Sequence, residues 1–169
     1  LSFCNFRNLK NERIDLANRE VYFIGENGQG KSNLLEALYY SAYGISFRTH
    51  TDSQIVRHGE KNFSVMAMYD RGNNDIQKVR VIFEDNKKRI EKNGKKITDR
   101  KELINTIPCI LFCHDDMRFA TGDPEDKSFF IDQSLTLYDS VYIDDLRNYK
   151  KILKNRNTLL KDHKYELLE

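Results

Sequence analysis

The chain of 169 residues has no tryptophan, two prolines and almost no surplus of either charge: 28 basic against 26 acidic residues leave a net +2. A near-neutral molecule carries no global field that announces a nucleic-acid partner, so any such contact must rest on a local patch. No apolar run approaches the length of a membrane span and no signal peptide is visible, so no membrane partner is expected. Cysteine is scarce and odd in number: Cys4, Cys109 and Cys113. Three thiols on strand-like stretches argue against a disulfide framework and for a reducing, cytoplasmic setting. Cys109, Cys113 and His114 have a spacing that metal ligands use, but no second ligand cluster exists. A buried strand carrying small thiols is the plainer reading. There is no internal repeat and no low-complexity segment. Hydrophobic residues at 39% and charged residues at 32% suit one soluble domain with a sizeable core. Opening at Leu1 within a strand-like stretch and ending at Glu169 within a helical one, the chain reads as a piece of a longer protein.

What the chain does have is a glycine-rich turn between an apolar run and a helical pattern. Residues 20–24 read as a buried strand. Gly25, Glu26, Asn27, Gly28, Gln29, Gly30, Lys31 and Ser32 come next, with the spacing G-x-x-x-x-G-K-[ST], a phosphate-binding loop. Glycines let the backbone curl so that its N–H groups face an anion, and the N-terminus of the next helix favours negative charge. Lys31 would reach the β- and γ-phosphates of ATP, and the Ser32 hydroxyl would ligate Mg2+. The bland alternative is a strand-to-helix turn with no ligand. A strand before and a helix after are the context that favours nucleotide.

Around this loop the pattern is α/β. Residues 1–6 and 13–16 alternate as a hairpin leading into the loop strand. The helix after Lys31 places Leu34, Leu35, Leu38, Tyr39 and Ala42 on one face, and Gly44 is its expected stop. Residues 62–98 should hold an antiparallel sheet of three or four strands, with Asn93-Gly94 a hairpin turn of type I′. Asp99 can cap a short helix reaching about Thr106. Residues 107–112 suit a buried core strand. Pro124, with Glu125 and Asp126, signals a helix start. From 139 to 169 a heptad seam runs through Tyr142, Leu146, Tyr149, Leu153, Arg156, Leu160, His163 and Leu167, as in a helix that leaves its domain and pairs elsewhere. An ordinary amphipathic helix lying on this domain is the other reading.

Lys87, Lys88, Arg89, Lys92, Lys95, Lys96, Arg100 and Lys101 cluster on and around the Asn93-Gly94 hairpin. Such a cluster suits sequence-neutral contact with DNA phosphates. Lysines that only keep an edge strand from pairing would look the same.

Asn5-Phe6-Arg7-Asn8, together with Gly28-x-Gly30-Lys31-Ser32-Asn33-Leu-Leu-Glu-Ala37, resembles the head domains of SMC-type and RecF-type ATPases. Ser46-Phe47-Arg48-Thr49, Phe112-x-x-Asp115-Asp116 with Gly122-x-Pro124 and Phe130-Ile131-Asp132, and the run from Tyr142 to Lys161 are similar to the RecF family of bacterial DNA replication and repair proteins. The resemblance covers nearly the whole chain. It implies the N-terminal half of an ABC/SMC-type head with an antiparallel side sheet over residues 1–138, and the first helix of an arm from 139 to 169. It implies that residues 25–33 hold ATP, with Arg7 near its phosphates. It implies duplex or gapped DNA as partner, ATP-driven pairing of two heads, and mediators of the RecO and RecR type. Asp115 matches a position that could touch Mg2+ through water, or could simply cap the next helix. His114 stands where proline is usual, and Lys127-Ser128 where an arginine pair is typical.

The chain has no Walker B strand ending in a catalytic carboxylate and no Leu-Ser-x-Gly-type signature. Phosphoryl transfer depends on positioning and charge neutralisation, so this stretch should bind ATP rather than hydrolyse it. The alternatives are another SMC-like DNA-tethering head, or an ABC-type nucleotide module with no DNA role.

Overall fold

A computed structural model describes residues 1–104, 106–107, 109–112, 122–137 and 139–161. The chain divides into two compact units, Leu1–Leu111 and Phe112–Glu169.

In the first unit, strands β1 (Ser2–Cys4), β2 (Glu12–Arg13), β3 (Phe63–Asp70), β4 (Ile76–Glu84), β5 (Lys87–Lys92) and β6 (Lys95–Ile97) form one sheet in the order β2-β1-β3-β4-β5-β6. Every pairing is antiparallel. The expected sheet is therefore present as β3–β6, and β1 extends it on the far side of β3. Tight turns set the register: Asp85-Asn86 joins β4 to β5, and Asn93-Gly94 joins β5 to β6, with positive φ at all four residues. Two consecutive positive-φ residues match the twist of paired strands, which is why Asn-Gly appears here.

Directly opposed residues share a face. The row Phe3, Val65, Val81, Ile90, Ile97 crosses the sheet on the inner face, flanked by Phe63, Ala67, Val79 and Phe83. All of these are buried. Helix α1 (Lys31–Tyr43) packs on β3 and β4. Tyr40, Phe6 and Phe63 meet edge-on, with ring centroids 5.5–6.0 Å apart. Burying a side chain such as Phe63 contributes about 2–3 kcal/mol. Gly44 ends α1 with φ 65°, donating its N–H to the Tyr40 carbonyl at 2.8 Å. Asp99 and Glu102 form a capping box, but they cap a single 3-10 turn, Arg100–Leu103, rather than a helix to Thr106.

Three expectations are corrected here. The buried arc of α1 is wider than the face read from sequence and is shifted on it: Leu34, Tyr39 and Ala42 are buried as expected, but Leu35 is exposed and Leu38 half-buried, whereas Glu36, Ala37, Tyr40 and Ser41 are also inside. Tyr40 wins the inward position because its ring fills the space between Phe6 and Phe63. Residues 20–24 form no ladder, and Ile24 is 94% exposed. The described residues of the expected strand over 107–112 form none either: Ile107 is buried in the core, but Phe112 is 90% exposed. In both stretches an apolar run asks for burial without supplying a partner strand, and among the described residues no strand pairs with either. Besides Ile107, Phe23 and Cys109 pack against the core from these runs.

The second unit contains helices α2 (Pro124–Thr136) and α3 (Ser140–Lys161). Asp123 is the N-cap residue of α2 and Pro124 occupies its first turn, as the missing proline N–H allows. Tyr142 Oη donates to Asp132 Oδ1 at 2.6 Å, tying α3 to α2. No described residue of α3 is buried, and Tyr149 and Ile152 of the heptad seam region are exposed. His163 and Leu167 of that seam lie outside the described residues. No helix among the described residues is long and apolar enough to cross a membrane.

Candidate phosphate-binding site

The loop of residues 25–30 ends at Gly30, which caps α1 in the left-handed region with φ 98°; Gly28 is also left-handed, at φ 84°. The left-handed backbone calls for glycine there, and a Cβ on Gly30 would stand 2.9 Å from the side-chain tips Asn8 Oδ1 and Leu9 Cδ2, so those tips would have to shift. The first helical hydrogen bond runs from Leu34 N to the Gly30 carbonyl at 2.9 Å. No side chain caps the helix, and no acidic residue sits in its first turn. The N–H groups of Lys31, Ser32 and Asn33 thus have no acceptor within the helix, at the end where the dipole is positive.

Lys31 Nζ donates to the carbonyls of Gly25 and Glu26, each at 2.7 Å. The ammonium is held directly over the loop. Ser32 is exposed on the first helical turn. Glu26, Asn27 and Gln29 are exposed, and the Gln29 side chain folds against Gly25. A cleft of about 440 Å3 opens beside Gly30, Lys31 and Leu34, bounded by Asn8, Phe23 and Gln29. The donor set suits a polyphosphate: orphan N–H groups, a lysine and a serine hydroxyl, with no carboxylate in the first turn.

Behind the loop runs a polar network. Asn8 Nδ2 donates to the Gly28 carbonyl at 2.8 Å, and Asn33 Nδ2 donates to Asn8 Oδ1 at 2.7 Å. Arg48 donates to Asn33 Oδ1 and, at 3.2 Å, to Glu36 Oε2. Glu36 has no exposed surface. Its carboxylate takes Arg7 Nη2 at 2.7 Å and Arg7 Nε at 3.1 Å, and accepts the Ser46 hydroxyl at 2.6 Å. A buried carboxylate persists only when paired and hydrogen-bonded in this way. Arg7 Nη1 donates to the Gln54 carbonyl at 2.7 Å, so each nitrogen of its fork is engaged. The arginine sits at φ 50°, fixed by its own N–H on the Ile55 carbonyl at 2.8 Å. Strain at a non-glycine residue is tolerated where the surroundings over-determine it.

The residues singled out from sequence are thus brought together unevenly. Residues 25–32 form the loop and the start of α1. Asn33 belongs to the network behind it. Arg7 is on Glu36. Asp115 lies outside the described residues, as do Cys113 and His114. Among the described residues no group of His, Cys, Asp and Glu could hold a metal. Burial pushes the Cys109 thiol upward, which suits an inert core group. Glu36 and Asn8 were not expected to have a role. Both stood in stretches that carried the family resemblance, and so did Ser46 and Arg48.

The basic hairpin also divides. Lys88 Nζ bonds Asp52 Oδ2 at 2.8 Å and the Gly44 carbonyl at 3.0 Å, and lies 5.6 Å over the Tyr40 ring. Tyr40 Oη donates to Asp52 Oδ1 at 2.7 Å, and burial, then that bond, raise its phenol far above the ordinary value. Lys92 Nζ donates to the Glu102 carbonyl at 3.1 Å. Arg89 pairs with Glu91 at 3.2 Å. Lys87, Lys95 and Lys96 are exposed.

With this geometry in place, the whole chain, residues 1–169, matches the family described as an AAA domain. The chain belongs to the AAA domain family. This AAA domain is 47% identical to the DNA replication and repair protein RecF of Treponema pallidum over 98% of the chain and 47% of that protein. It is 35% identical to the RecF of Clostridium botulinum (strain ATCC 19397 / Type A) over 94% of the chain and 43% of that protein. Two solved structures share its fold at 31% identity: the recombination mediator protein RecF-ATPrS in the RecFOR pathway, with a TM-score of 0.84 over 95% of the chain and 44% of the other, and RecF-ATP in the same pathway, with 0.82 over 98% and 44%. The AAA domain spans about half the length of the relatives it matches. The resemblance to RecF read from the motifs, and the α/β head fold it implied, therefore hold.

Proposed function

We propose that this AAA domain is the ATP-holding part of a RecF-like cytoplasmic protein that grips duplex or gapped DNA in recombinational repair and replication. The observation that carries this is the uncapped N-terminus of α1 behind a loop with Gly28 and Gly30 in left-handed conformation and Lys31 over it. The loop N–H groups and Lys31 would hold the β- and γ-phosphates, and Ser32 would serve Mg2+, joined from outside the described residues by Asp115. The ion neutralises phosphate charge when bound. Arg7 is close in sequence to Asn8, which touches the loop, and stays a candidate for the phosphates. Residues 1–138 would serve as the head and 139–169 as the first arm helix, its seam awaiting a partner. ATP would join two such heads, and mediators of the RecO and RecR type would act with them, as the RecFOR pathway named for the solved relatives suggests. No Walker B or signature motif lies in the chain, so this half binds ATP and does not turn it over alone. The candidate DNA contact is drawn from the cations on and around the basic hairpin.

The test is duplex binding by the full-length protein with and without Mg-ATP, beside Lys31→Ala. Binding that needs ATP and is lost in the variant supports the reading. Binding indifferent to both, or no binding, contradicts it.

A further inference from the structure

Register sorts the cations of this sheet onto two faces. On β5, Lys88 and Lys92 stand opposite Phe83 and Val79 on the inner face, and Lys95 stands opposite Lys92. Lys88 and Lys92 end on backbone carbonyls. They are spent on holding the hairpin to α1 and to the Arg100–Leu103 turn. The outer face is different. Arg80 stands opposite Glu91, and Glu91 opposite Lys96, in the row that continues through Met66 to Ser2. Lys78 lies two residues from Arg80 on the same strand and therefore on the same face. Glu91 is neutralised by Arg89 at 3.2 Å. Lys78, Arg80 and Lys96 are exposed and make no ion pair among the described residues.

We propose that the outer face of this sheet, through Lys78, Arg80 and Lys96 on β4 and β6, is the surface that contacts the phosphate backbone of duplex DNA. This rests on the DNA-binding reading above and moves the contact off the inner-facing half of the hairpin. Two strand spacings put Arg80 and Lys96 about 10 Å apart, and two residues along a strand put Lys78 about 7 Å from Arg80. A duplex carries one negative charge per about 1.7 Å of axis, so a patch of this extent meets several phosphates at once. The three cations are point or fork donors to phosphate oxygens, the contacts that position a protein on duplex without reading its sequence.

The experiment measures duplex binding by the full-length protein with Mg-ATP, from about 50 to 200 mM salt. It compares wild type, the triple variant Lys78→Ala/Arg80→Ala/Lys96→Ala, and the double variant Lys92→Ala/Lys95→Ala. Loss of three phosphate contacts should lower affinity roughly ten-fold or more and reduce the slope of log K against log salt by about 2–3. The double variant should keep the wild-type slope. ATP affinity of the triple variant should stay at the wild-type value, which separates a lost surface from a lost fold. A triple variant with the wild-type slope, or a slope reduced only in the double variant, overturns this inference while leaving ATP-dependent DNA binding standing. A wild type that binds no duplex overturns both.

Discussion

Arg7 and Glu36, far apart in sequence, form a bidentate ion pair directly behind the phosphate loop, at 2.7 and 3.1 Å, with the carboxylate wholly buried. Arg7 belongs to the turn after β1 and Glu36 to the second turn of α1. The pair therefore ties the sheet to the helix whose N-terminus faces the anion site. Arg48 and Ser46 complete the set of donors.

Removing that carboxylate leaves Arg7 with an unpaired, largely buried charge. Glu36→Ala is expected to lower stability by about 3–5 kcal/mol, the usual cost of breaking a buried pair. Glu36→Gln keeps the shape and some of the hydrogen bonds and should cost less, about 1–3 kcal/mol. Urea unfolding of the two variants beside wild type checks the order. A Glu36→Ala midpoint equal to wild type would mean the pair holds nothing.

Gly30 and Gly28 are both left-handed, but only Gly30 is crowded. Gly30→Ala should suffer conformational strain of about 1–2 kcal/mol and a clash with Asn8 and Leu9. Gly28→Ala meets nothing within 4 Å and should suffer the conformational part alone. ATP affinity, measured by titration, should fall more steeply for Gly30→Ala. The reverse order would contradict the close approach of Asn8 and Leu9.

Lys88, Asp52 and Tyr40 join the hairpin to α1. Lys88→Ala and Tyr40→Phe should each cost about 1–2 kcal/mol. The folded phenol is raised above its unfolded value, about 10, so the folded form binds the proton more tightly. Its contribution is complete below about pH 10 and declines above it. Tyr40→Phe should flatten that alkaline decline in thermal unfolding scans; an unchanged decline would assign it to other groups.

The local features of this fold could be read directly. The phosphate loop, the Asn93-Gly94 turn, the Gly44 stop and the Pro124 helix start each depend on neighbours in sequence. Glu36 could not be read, because a carboxylate between Leu35 and Ala37 looks like the solvent side of a helix until Arg7, Ser46 and Arg48 arrive from remote stretches. Its flanking by Leu34, Ala37 and Tyr40 on the buried arc was the available signal. Residues 20–24 misled for a related reason: apolar composition reports that a strand wants cover, not which strand covers it. Lys88 shows the same limit in charge, since its lysine neighbours suggested a solvated cluster while Asp52 and Gly44 held it.

The central claim is that the loop ending at Gly30 and Lys31 holds the phosphates of ATP. Its most direct test is a calorimetric titration of Mg-ATP into the full-length protein and into Lys31→Ala, with unfolding midpoints recorded for both. Saturable binding by wild type and none by an equally stable variant is the expected result. Equal affinity in a folded Lys31→Ala protein would contradict the account.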